Sequence, residues 1–155
     1  MPEYERSSGF TLIELMIVVA LVAIVATIAV PSFNRLVESN RLTAATNDFV
    51  GVIQFARSEA IRHGRTVTVS PRTANGQTGF QQGVDVLLGA NSIRVTQAAD
   101  SGINVSNGAA FNFRGNGLAS AGVTIKLCSD SGDGREVVVA VGGQVRVVSN
   151  GVVCP

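Results

Sequence analysis

Apolar and polar positions divide this chain into three stretches, each with its own periodicity. No side chain from Leu15 to Asn34 is charged, and Leu15–Val30 is wholly apolar apart from Thr27. Twenty such residues in a helix rise about 30 Å, enough to cross the hydrocarbon core of a bilayer. The pattern then changes. Phe33, Leu36, Val37, Leu42, Ala45, Phe49, Val52, Ile53, Ala56 and Ala60 recur at three- and four-residue steps, with charged residues mostly between them. That spacing predicts an amphipathic helix whose apolar stripe covers a folded partner. Gly64 is a stop signal after His63, with Arg62 near the negative end of the helix dipole. A single helix over 10–63 would measure roughly 80 Å, half of it in lipid and half on a globular domain. Pro31 removes a backbone donor and frees the carbonyl of Thr27, which predicts a kink. Gly51 lowers helix stability and is expected to mark close packing.

Beyond Gly64 the period becomes two. Residues 65–70, 123–127 and 144–148 alternate polar and apolar, which predicts half-buried strands. Glu136–Val141 is a nearly continuous β-branched run, as expected of a strand covered on both faces. Weaker strands are expected at 83–88, 93–96, 103–106 and 110–114, with turn residues between them at 75–76, 107–108, 116–117, 130–134 and 150–151. The expected fold class is α+β: a long N-terminal helix packed on an antiparallel sheet or small β-sandwich. No internal repeat is visible.

Charge sharpens the reading of the N-terminus. An apolar run behind a short leader fits either a membrane anchor or a cleaved secretory signal. Residues 1–9 carry Glu3 and Glu5 against Arg6, so the leader is not basic, and only a poor cleavage candidate (Thr27-Ile28-Ala29) follows the run. Length and composition leave both options open. Glu14 stands at the edge of the run, where an ionised side chain costs roughly 2.5–3.5 kcal/mol if driven into lipid.

Gly9-Phe10-Thr11-Leu12-Ile13-Glu14 resembles the class III signal of type IV pilins and type II secretion pseudopilins. The resemblance implies that a prepilin peptidase cuts between Gly9 and Phe10 on the cytoplasmic side and methylates the new Phe10 amine. Residues 1–9 would be lost, 10–34 would be the transmembrane and assembly half of the helix, and 35–155 a periplasmic pilin-like domain. It also implies that Glu14 pairs with the N-terminal amine of a neighbouring subunit, an attraction that is large in a low-dielectric medium. Phe10 and Glu14 are also i,i+4 neighbours, so an intrachain pair is the alternative. The implied location is the bacterial inner membrane, crossed once, with incorporation into a pilus or pseudopilus. Implied partners are the peptidase, the assembly platform, membrane lipid and other pilins or pseudopilins. The proline region resembles the pilin segment that loosens during filament packing.

Residues 55–62, 113–117 and the run from Leu127 to Val147 resemble the GspH/FimT/FimU branch of pseudopilins and minor pilins, whereas 71–105 matches loosely. The resemblance implies a low-abundance structural subunit that helps begin or cap a type IV pilus. A GspH-like subunit of type II secretion is the alternative. The two cysteines, Cys128 and Cys154, are expected to form a disulfide in an exported domain, where it would contribute about 3–4 kcal/mol. Two free buried thiols are the other reading.

FimT-like minor pilins bind DNA through a Gly-Arg-x-Arg motif, and the matching stretch here, Gly143-Gln144-Val145-Arg146, lacks its first arginine. Arg114, Lys126, Arg135 and Arg146 are the candidate DNA contacts, and they need to be gathered by folding. The formal charge is +1, or +2 (11 basic against 9 acidic residues) without the leader, which is a weak footprint for phosphate binding. Enzymatic chemistry is not expected. His63 is the only histidine, no nucleophile is paired with a base, and no cofactor or metal is implied. Residues 130–134 are read as a strand-connecting turn, because they lack the ligand series and closing glutamate of a calcium loop.

Overall fold

The computed structural model describes residues 10–106 and 108–154. Helix α1 spans Leu12–His63, with Pro31 inside it, and the chain divides into two compact units that meet between Leu36 and Val37.

In the first unit the helix is apolar all round, and its side chains are exposed. It is the one helix among the described residues long and apolar enough to cross a membrane. The hydroxyl of Thr27 donates to the carbonyl of Ile24 at 2.7 Å, so this polar group is satisfied within the helix.

In the second unit α1 buries Leu42, Thr46, Phe49, Val52, Ile53, Ala56 and Ala60, whereas of the other expected stripe positions Val37 and Ala45 are half-buried and Phe33 and Leu36 are exposed. Thr46 enters that stripe because its hydroxyl donates to the carbonyl of Leu42 at 2.6 Å. Gly51 differs from expectation, since it is exposed and a Cβ there would meet nothing within 4 Å. The helix ends as the sequence predicts. Gly64 adopts φ +58°, its N–H donates to Ile61, and the N–H of Arg65 donates to Ala60, the paired bonds of a Schellman cap.

Among the described residues eight strands follow: β1 Val67–Ala74, β2 Gln77–Leu88, β3 Asn91–Val95, β4 Ile103–Val105, β5 Phe111–Phe113, β6 Val123–Ser129, β7 Gly134–Val139 and β8 Val145–Val148. All pairings are antiparallel, in two four-stranded sheets ordered β3-β2-β1-β5 and β4-β6-β7-β8. One core unites them, with Ile53 of α1 packed together with Phe80 and Phe113 of one sheet and Ile125, Leu127 and Val137 of the other. Phe49 meets Phe80 edge-on at 6.1 Å, which ties helix to sheet.

Three strands differ from expectation. β1 and β2 extend to a two-residue hairpin at Asn75-Gly76, both with positive φ (52° and 76°). Pro71 does not end β1, because the register shifts between Pro71 and Arg72 and absorbs the missing donor. β7 is covered fully on one face only. Val137 and Val139 are buried, whereas Glu136 and Val138 on the other face are half-buried.

The helix and the two sheets are locked at one junction. Arg57 Nε donates to the carbonyl of Gly117, 3.1 Å away, in the loop after β5. Gly143, in the β7–β8 turn, lies against the same carbonyl, so that a Cβ there would collide with the oxygen. Gly143→Ala is expected to destabilise the fold by about 1–3 kcal/mol. Gly142→Ala, which meets open space, should shift stability by less than about 0.5 kcal/mol. Denaturant titration of the two full-length variants in detergent compares them directly.

Candidate functional site

The N-terminus of α1 is built by a reciprocal cap. The Glu14 N–H donates to Thr11 Oγ1 at 3.3 Å, while the Thr11 N–H and hydroxyl both donate to Glu14 Oε2 at 3.4 Å. This is the Thr-x-x-Glu capping box, with Thr11 as N-cap and Glu14 at the third helical position. Thr11 is the capping residue that the sequence analysis did not single out, although the motif is legible in its spacing. The bonds are long, so they hold the carboxylate while leaving it open to a stronger, charged donor. Phe10 precedes the cap and is 86 % exposed. Gly9 and the rest of the leader lie outside the described residues.

The second constellation closes the far end of the chain. Cys128 of β6 and Cys154 form a disulfide across 26 residues of sequence. Gly134 is the register partner of Cys128 on β7, and a Cβ at Gly134 would stand 2.6 Å from Cys154 Sγ and 2.7 Å from Val152. Glycine at that position is what lets the last residues cross the hairpin. The turn before it is a strand connection, with Ser129 N–H donating to Asp133 and Gly132 N–H donating to Ser129. Asp130 Oδ1 accepts from Asn104 of β4 at 3.2 Å.

The four candidate DNA contacts do not share one face. Lys126 and Arg146 project from the same face of their sheet, but Lys126 is paired with Glu136 at 3.3 Å. Arg135 lies on the opposite face and donates to Thr43 of α1 at 2.8 Å. Arg114 is in the loop after β5, on the other sheet. His63 sits at the helix end beside Glu59, whose carboxylate accepts from Arg62 at 2.6 Å.

A family model described as type II transport protein GspH matches residues 45–144, which hold most of the amphipathic stripe, strands β1–β7 and the Arg57 junction. The chain belongs to the GspH family. A second model, the prokaryotic N-terminal methylation motif, matches residues 5–30. A fimbrial protein of Pseudomonas aeruginosa is 33 % identical over 106 residues, which is 65 % of this chain and 67 % of that one. A fimbrial protein of Moraxella nonliquefaciens is 26 % identical over 152 residues, covering 92 % and 90 %. Among solved structures, the type IV minor pilin FimU of Pseudomonas aeruginosa superposes with a TM-score of 0.64 at 18 % identity, covering 76 % of this chain and 95 % of that one. The minor pseudopilin EpsH of the Vibrio cholerae type 2 secretion system gives 0.55 at 12 %, covering 72 % and 99 %. At such identities the superpositions speak for the pilin fold alone.

This GspH-family chain is therefore a pilin-like subunit of the minor pilin and pseudopilin branch. The family is one of structural subunits, not enzymes, that associate with other pilins or pseudopilins, and the apolar helix with its methylation motif points to membrane anchoring.

Two measurements probe the constellations. Thr11→Val should weaken the cap by about 0.5–2 kcal/mol, seen as faster amide exchange over the first turn of α1 in micelles, with Thr11→Ser close to wild type. Cys154→Ser should lower domain stability by about 3–4 kcal/mol, and unchanged melting under non-reducing conditions would refute a stabilising bridge.

Proposed function

We propose that this chain is a minor subunit of a type IV pilus that helps to initiate or cap the fibre. It is inserted in the inner membrane with residues 35–155 in the periplasm. Prepilin peptidase cleaves it between Gly9 and Phe10 and methylates the Phe10 amine. The observation that carries the reading is the carboxylate of Glu14 at the head of an exposed apolar stretch of helix, held among the described residues by the long bonds from Thr11. The methylation-motif match over residues 5–30 supports it independently.

The mechanism follows from the low dielectric. A lone carboxylate beside lipid is costly, and the Thr11 donors offset part of that cost while the subunit waits in the membrane. A neighbouring subunit's α-amine is a charged donor and forms the stronger bond, so Glu14 exchanges its cap for an interchain ion pair. Each buried charge then requires the other, which fixes the axial register of the two helices. Pro31 supplies a bend that lets the apolar half adjust as subunits pack.

The fimbrial relatives favour the pilus. A second reading, a minor pseudopilin of type II secretion, is supported by the description of the matching family itself. Deletion followed by separate assays of twitching, protein secretion and DNA uptake divides the pilus reading, the secretion reading and a DNA-capture role.

Glu14→Ala should leave membrane insertion and cleavage intact while the protein disappears from sheared fibres. Normal incorporation of that variant would sink the assembly role of the carboxylate.

A further inference from the structure

Glycine directly follows asparagine at residues 75–76, 107–108, 116–117 and 150–151. In that pairing the glycine nitrogen can attack the asparagine side-chain carbonyl, because no Cβ stands in its way. Asparagine belongs to the thermolabile residues. Ring closure needs an unengaged glycine N–H, an untethered amide side chain and a backbone that can rotate about ψ of the asparagine. The fold withholds these at two of the pairs. At Asn116-Gly117 the Gly117 N–H donates to the Arg114 carbonyl at 2.8 Å, and Asn116 Oδ1 accepts from the Leu118 N–H at 3.2 Å. Gly117 is also buried, and its carbonyl accepts from Arg57. At Asn75-Gly76 both residues are fixed at positive φ in the β1–β2 hairpin, where the Thr73 and Thr78 hydroxyls bond at 2.7 Å. Asn107 lies outside the described residues.

Asn150-Gly151 is under no such restraint. Both residues are exposed and outside any strand, and among the described residues neither takes part in a hydrogen bond. A Cβ at Gly151 would meet nothing within 4 Å, so the space beside the attacking nitrogen is open. The arm that carries the pair is nevertheless anchored at both ends. Val148 is the register partner of Glu136, and Cys154 is bonded to Cys128. Near the second anchor the fit is close, since a Cβ at Gly134 would stand 2.7 Å from Val152 and 2.6 Å from Cys154 Sγ. Residues 149–151 are left as the adjustable part of the arm.

We propose that Asn150-Gly151 is a self-modifying site that loosens the disulfide-closed arm as the protein ages. The Gly151 nitrogen loses its proton and bonds to Asn150 Cγ, while the Cγ–Nδ2 bond breaks and ammonia departs. Solvent water then opens the cyclic imide. Breaking the new Cγ–N bond gives aspartate. Breaking the original peptide C–N bond gives isoaspartate, whose main chain runs through Cβ and is one methylene longer. The net change is hydrolysis of an amide, without oxidation or reduction. Either product adds one negative charge, which takes the formal charge of the chain from +1 to 0. In isoaspartate the extra methylene falls between the two anchors, where the close fit at Gly134 leaves no room to absorb it. The new carboxylate also arises beside a groove that Asp133 lines together with Ser149 and Gly151, so like charges press the arm outward.

The test ages full-length protein in detergent micelles at mildly alkaline pH and samples it over time. Trypsin cuts after Arg146, and the reduced peptide 147–155 holds Asn150 as its only amide side chain. Mass spectrometry should show that peptide deamidating several-fold faster than the peptides carrying Asn75 and Asn116. Chains aged unfolded and reduced in urea should lose this ranking, because all three are then unrestrained Asn-Gly pairs. Asn150→Gln, whose longer side chain must close a larger ring, should stay unmodified at that position over the same period. The fraction of folded protein that carries isoaspartate at 150 alone, isolated by its added charge, should melt at a lower temperature than the unmodified fraction. Deamidation at Asn75 or Asn116 that keeps pace with Asn150 in the folded protein overturns the assignment, as does an Asn150 that reacts only in urea. Equal melting of the two fractions overturns the loosening of the arm.

Discussion

Neither sheet of this domain has a core of its own. What unites them is the apolar stripe of α1 from Leu42 to Ala60, which contributes to the single cluster containing Phe80 and Phe113 on one side and Ile125, Leu127 and Val137 on the other. The small side chains of Ala56 and Ala60, both fully buried, mark where the stripe is most completely enclosed. The helix is therefore the common wall of the domain. Burial of this stripe, at roughly 1.5–3 kcal/mol per large apolar side chain, is the term on which the rest depends. The Arg57 bond to Gly117 then adds direction to an otherwise non-directional attraction.

The same helix serves two solvents. Its first half presents apolar side chains all round and buries none within the chain, while its second half presents one stripe and buries it. Periodicity alone distinguishes these halves, because a lipid-facing helix has no need of a polar face whereas a domain-facing helix must solvate its other side. Glu14 and its Thr11 partner stand where the first half begins. The polar group there is held by Thr11, three residues away, so the cap is satisfied within the segment itself.

How much of this was legible in the sequence varies with the range of the interaction. The helix end at His63, the alternating stretches 65–70 and 123–127, the first a strand from Val67 onward, and the Asn75-Gly76 turn are local features and could be read directly. The length of β2 could not, because Gly79 and Gly83 dilute its strand character and only pairing with β1 across the register shift at Pro71 sustains it. Gly51 looked like a packing residue because glycine in a helix is costly, yet the cost is borne at an exposed position without a contact to explain it. Gly134 was read only as part of a turn. Its steric role depends on Cys154, far along the chain, crossing over it, and no short window of sequence contains that geometry. The candidate DNA contacts were separated for the same reason, since the face on which Arg135 or Arg146 falls is decided by register.

The contacts at the His63 end have one property that ordinary packing lacks. Gly64 meets Gly115, and Gly117 meets Gly143, so helix cap, loop and turn touch through backbone atoms. A contact between side chains can drift over generations, with a gain of volume on one side matched by a loss on the other. A contact between two backbones has no such freedom, because neither partner can become smaller than glycine. Gly115 and Gly143 are the fixed points, because a Cβ at either would collide with the backbone of Gly64 or Gly117.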